Sequence, residues 1–62
     1  MIETIHWHTL HPRYLSPTST VLDLGANYGH FTRAVVKRFG CHCVAIEPSP
    51  EPFAAIPTSA QI

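Results

Sequence analysis

Val21-Leu-Asp-Leu-Gly-Ala-Asn-Tyr-Gly-His-Phe31, with Val44-Ala-Ile-Glu47 ending 24 residues beyond Asp23, decides how this chain folds. An apolar run, a turn bounded by Gly25 and Gly29, a helical stretch and a second apolar run closing on a carboxylate predict a strand, a helix and a parallel strand. The expected class is α/β, with one βαβ unit in the right-handed sense of about 98% of such crossovers.

Apart from Asp23, Val21 to Leu24 shows no polar alternation, as expected of a parallel strand covered on both faces. From Gly29 or His30 to Phe39, the residues Phe31, Ala34, Val35 and Phe39 recur on one side of a helix. Arg33, Lys37 and Arg38 take much of the remaining surface, where cations also favour the negative helix C-terminus. Gly40 is placed to end the helix in a left-handed conformation. Cys43 to Ile46 then forms the second strand. Beyond Glu47, Ser49 is a candidate cap for a short second helix with Pro50 in its first turn and Pro57 at its close.

Upstream, Ile2, Ile5, Trp7 and Leu10 follow no clean period, and residues 1–19 read as a lead-in segment containing a short helix. Ser16 to Thr20 is a turn-rich connector into the first strand. Residues 20–62 are expected to belong to one domain at most. At 62 residues such a chain buries only about 60% of the surface its unfolded form exposes. Nothing in it supplies a staple: Cys41 and Cys43 are too close for an easy intrachain bridge and read as buried, inert thiols in a reduced, cytoplasmic chain.

Four Lys and Arg balance four Asp and Glu, so there is no electrostatic footprint for nucleic acid or an anionic membrane surface. No run of 18 apolar residues exists to span a bilayer. His6, His8 and His11 lack carboxylate or thiolate companions at fixed spacing, which favours surface or packing roles over a metal site. Gly-x-Ser-x-Gly is missing, and with it support for hydrolase chemistry.

The turn and the two acids carry the chemistry. Gly25 and Gly29 remove side chains where a ligand would approach, and the following helix offers free N–H groups and a partial positive charge. Asp23 is costly inside an apolar strand unless it is paired or reaches the strand's open end, where it favours an ammonium or sulfonium over a pyrophosphate. Glu47 ends the second strand at the sheet edge where α/β folds bind ligands, and a carboxylate there can accept both hydroxyls of a ribose. The dinucleotide fingerprint started at Gly25 requires glycine at positions now held by Asn27 and His30, and it fails at both.

Asp-x-Gly-x-Asn-x-Gly from Asp23 to Gly29 resembles motif I of class I S-adenosylmethionine-dependent methyltransferases. With Ile46-Glu-Pro-Ser-Pro50 downstream, the chain looks like the FkbM family over about residues 20 to 53. The resemblance implies a partial Rossmann-like, doubly wound methyltransferase fold and S-adenosylmethionine as cofactor. Asp23, Gly25, Asn27 and Gly29, with Ala26 in the same turn, would meet its methionine end; Glu47 would take the ribose and Pro48 would lie near the adenine. The implied reaction is methyl transfer to a nucleophile, most simply a hydroxyl. The substrate-binding strands and any catalytic base would lie outside these residues, so the expectation is that the chain alone binds cofactor weakly if at all and does not turn over. A non-catalytic remnant, unfolded or self-associated, is the alternative, with a dinucleotide-binding module a weaker third.

Overall fold

The amino-terminal segment folds as a hairpin where the sequence suggested a short helix. In the computed structural model, which describes every residue except Ala60, Glu3–Ile5 (β1) pairs antiparallel with His8–Leu10 (β2), placing Thr4 opposite Thr9. The connecting residues His6 and Trp7 have φ of 42° and 73°. Positive φ at both central positions is what a tight type I′ connection demands, and Asn-Gly usually provides it. His-Trp gives no such signal, and strands of three residues are too short for alternation to stand out. The hairpin is fixed instead by what it rests on. Arg38 on the following helix makes a two-pronged ion pair with Glu3, and the His8 ring stacks on Phe31 with centroids 4.1 Å apart.

After a 3-10 turn at Pro12–Tyr14, the predicted unit appears nearly as read: Thr20–Leu24 (β3), His30–Phe39 (α1) and His42–Ile46 (β4), with β3 and β4 parallel. The register sets Val21 against Cys43, Asp23 against Ala45 and Leu24 against Ile46. Gly40, at φ 68°, ends α1 while its N–H still donates to the Val36 carbonyl at 2.9 Å. A second helix, Pro50–Ala55 (α2), starts at the expected proline and stops at Ile56, before Pro57. Ser49 occupies its N-cap position but makes no side-chain capping bond. The whole is a small mixed α/β protein of two two-stranded sheets and two α-helices among the described residues.

The core is small and lies where α1 crosses the β3–β4 ribbon: Val35, Cys41, Cys43 and Ala26, with Thr32 and Asp23 as its polar members. The helix stripe differs from the one the apolar residues suggested. Thr32 and Val35 are buried, while Phe31, Ala34 and Phe39 are only half-buried. Thr32 turns inward because its hydroxyl donates to Asp23 Oδ2 at 2.6 Å, the pairing that a buried carboxylate requires. Both cysteines are free and buried, and burial pushes the Cys43 thiol up, as for an inert structural residue. Among the described residues no helix is long and apolar enough to cross a membrane.

Candidate functional site

Strand β3 delivers Asp23 to the carboxy-terminal end of the parallel pair, and the chain then turns sharply away. Gly25, Asn27 and Gly29 all take positive φ, at 75°, 56° and 82°. Glycine adopts this region without steric cost and asparagine is one of the few other residues that tolerate it, so the alternation in the sequence is the alternation the turn needs. The Ile46 carbonyl pins the turn to the end of β4 by accepting from the N–H groups of Gly25 and Ala26, at 2.8 and 2.9 Å.

Four of the seven residues anticipated for the cofactor line one cleft of about 260 Å³: Asp23, Gly25, Ala26 and Asn27. The other wall consists of His6, Trp7 and His8 from the hairpin with His30 and Phe31 from the start of α1. Among the described residues Asp23 is the only acid in this lining, and neither lysine nor arginine joins it. Although Asp23 is 4% exposed, only its Oδ2 has a hydrogen-bond donor among the described residues. Among the described residues no fully enclosed side-chain oxygen lacks a partner, so Oδ1 keeps some exposure, and Asp23 lines this cleft. The arrangement suits a cationic group more than a phosphate. A Cβ added at Gly25 would meet nothing within 4 Å, which leaves clearance on this side of the turn.

The remaining three anticipated residues stand apart from the cleft. Gly29 is the N-cap of α1, buried beneath Ile56, whose Cγ1 would lie 3.2 Å from an added Cβ. Its glycine therefore serves packing against the end of α2 as well as turn geometry. Glu47 reaches back across the turn: Oε1 accepts the Asn27 N–H at 2.6 Å and Oε2 the Ser49 N–H at 3.0 Å. These two bonds, that from Ser49 the larger influence, hold the Glu47 carboxyl below its usual range. Each oxygen keeps a further lone pair able to accept from a ligand. Pro48 is exposed beyond it.

Trp7, His6 and His8 were not anticipated as site residues, since their place depends on a hairpin that brings the lead-in segment over α1. Tyr28 reaches away to Glu51 on α2, at 3.3 Å, closing the turn against that helix. His6 stacks on His30 at 5.7 Å and His11 meets Tyr14 edge-on, both packing arrangements. A second hollow, of about 470 Å³, opens between β4, α2 and the carboxy-terminal residues, lined by Val44, Phe53, Ile56 and Ile62 among others. It is mainly apolar and holds none of the anticipated residues. Compared with known proteins, the chain matches no family model, no curated protein and no solved structure.

Proposed function

We propose that this chain carries the S-adenosylmethionine-binding portion of an FkbM-like methyltransferase with a partial Rossmann-like fold, acting on a hydroxyl acceptor. The observation that carries the proposal is Asp23: a buried carboxylate with one oxygen that keeps some exposure, lining a cleft that contains no other acid and no Lys or Arg among the described residues, at the carboxy-terminal end of a parallel strand pair. Such a group prefers the ammonium and sulfonium of S-adenosylmethionine to the pyrophosphate of a dinucleotide. In this assignment Asp23, Gly25, Ala26 and Asn27 take the methionine end, and Gly29 shapes the turn. Glu47 accepts the ribose hydroxyls through its remaining lone pairs, and Pro48 borders the adenine.

What the protein contributes to methyl transfer is positioning. The cofactor's electrophilic methyl must be held in line with the acceptor, and rigid attachment of the turn to Ile46 and Glu47 limits its freedom. Isothermal titration with S-adenosylmethionine, and with NAD as the contrasting ligand, tests the proposal. The expected result is weak heat from the first at high cofactor concentration, lost in Asp23→Asn, and none from the second. Absence of S-adenosylmethionine binding by a folded chain sinks it.

The bare outer face of the β3–β4 ribbon supports a second reading, a non-catalytic remnant that self-associates. Leu22, Leu24, Val44 and Ile46 are all exposed there. Hydrogen exchange separates the two: a cooperative, strongly protected core in dilute monomer counts against the remnant.

A further inference from the structure

Trp7 is the least explained residue in the protein. It is 96% exposed, takes φ 73° where a tryptophan is disfavoured, and makes no aromatic or cation contact among the described residues, yet it stands on the wall of the Asp23 cleft. Its neighbours are anchored on either side, His6 on His30 and His8 on Phe31. A hairpin tip held at both flanks presents its central indole without gaining anything from packing it. Positive φ at a bulky residue costs on the order of 1–3 kcal/mol, and such outliers concentrate at ligand sites.

The geometry points to a two-sided onium site, with the Asp23 carboxylate as floor and Trp7 as an aromatic cover that discriminates a charged ligand from its neutral counterpart. It rests on the cofactor assignment above and extends it to specificity. A sulfonium or quaternary ammonium combines positive charge with apolar substituents, so it cannot be held by hydrogen bonds alone. A carboxylate supplies charge, and the indole face supplies a quadrupole that attracts cations and is the best of the aromatic side chains at doing so. The neutral thioether left after methyl transfer loses the attraction to the indole, while its α-ammonium still meets the Asp23 carboxylate. The cleft would thus favour the methyl donor over the spent cofactor.

Trp7 is the only tryptophan, so intrinsic fluorescence reports on this position alone. Titration of the protein compares S-adenosylmethionine with S-adenosylhomocysteine. The expected result is quenched or shifted Trp7 emission with the sulfonium. By calorimetry, Trp7→Gly should weaken S-adenosylmethionine about 10-fold and leave S-adenosylhomocysteine unchanged, with Trp7→Phe in between. Trp7→Gly suits the positive φ and removes no packing, so its fold is secure. Should S-adenosylmethionine bind with unchanged emission, or bind Trp7→Gly as tightly as wild type, the aromatic cover is wrong and the cofactor assignment survives. If instead S-adenosylmethionine fails but tetramethylammonium quenches Trp7, and Asp23→Asn removes the quenching, the onium site stands without that cofactor. Silence from both cations overturns both.

Discussion

The two faces of the β3–β4 ribbon are built from the same two pentapeptides and have opposite fates. Toward α1 point Val21, Asp23, Cys43 and Ala45, all buried or half-buried. Away from it point Leu22, Leu24, Val44 and Ile46, between 48% and 68% exposed. The larger aliphatic side chains are therefore on the bare side, and the small or polar ones are on the covered side. The covered face is shaped for one helix and for holding a carboxylate at its edge. The bare face has the composition of a strand pair that expects a second layer, and exposed apolar area of this kind marks interaction sites.

The comparison breaks first on the covered face. Thr32→Val keeps the shape of the side chain but removes the one hydrogen bond to the Asp23 carboxylate among the described residues, and a buried carboxylate left without that partner costs about 3 kcal/mol or more. A chain of this size has a total stability of about 3–9 kcal/mol. Circular dichroism melts should show the cooperative transition strongly lowered or lost. A melt equal to wild type would mean that Asp23 is served by solvent and that the covered face is not a core.

Glycine substitutions sharpen the boundary between packing and site. Gly29→Ala meets Ile56 at 3.2 Å and carries the cost of positive φ, so it should lose about 2 kcal/mol. Gly25→Ala carries only the conformational cost, about 1 kcal/mol, since its Cβ enters open space. Chemical denaturation ranks the two. Equal losses would show that Ile56 does not press on the turn.

Much of the covered face was legible because its features are local. The βαβ order, the glycine-bounded turn and the Gly40 stop each depend on residues adjacent in sequence, and each lies within a residue or two of its expected place. Thr32 was not legible, because its burial is decided by an oxygen nine positions earlier. The hairpin is not legible for a related reason: Ile5 and His8 pair across a turn with no turn-forming residue, and Glu3 is tied to Arg38, 35 positions away. Nor could a continuous apolar strand announce that only one of its faces would be covered. Of the anticipated site, the turn residues came together through local geometry. Glu47 is legible as a strand-end acid, but its bonds to the backbone of Asn27 and Ser49 depend on the fold.

On the bare face, Leu24→Thr with Val44→Thr should change monomer stability by no more than about 0.5 kcal/mol per site, as surface substitutions do. Its effect should appear in association. Sedimentation velocity over a concentration series is expected to show wild type assembling and the double variant remaining monomeric. A wild type that stays monomeric at high concentration would mean that the exposed aliphatic row is tolerated as it stands.

The smallest effect belongs to Glu47, which joins the two ends of the ribbon through the turn. Its folded pKa is depressed below the ordinary 4.5 by the N–H groups of Ser49 and Asn27, so the folded state binds its proton less readily than the unfolded chain. The resulting stabilisation is fully present above pH 4.5 and is lost as the pH falls through the lower folded value. Glu3, depressed by its hydrogen bonds with Arg38, titrates in the same direction. Melting temperature should accordingly fall on acidification, and Glu47→Gln should flatten part of that fall while Glu3→Gln flattens another part. Both carboxylates are at the surface, where solvent screens such interactions, so differential scanning calorimetry of the single and double variants is needed to separate the two contributions. If Glu47→Gln leaves the acid limb unchanged while Glu3→Gln removes it, the Glu47 bonds are not holding the turn in solution, and the end of the covered face is secured by Ile46 alone.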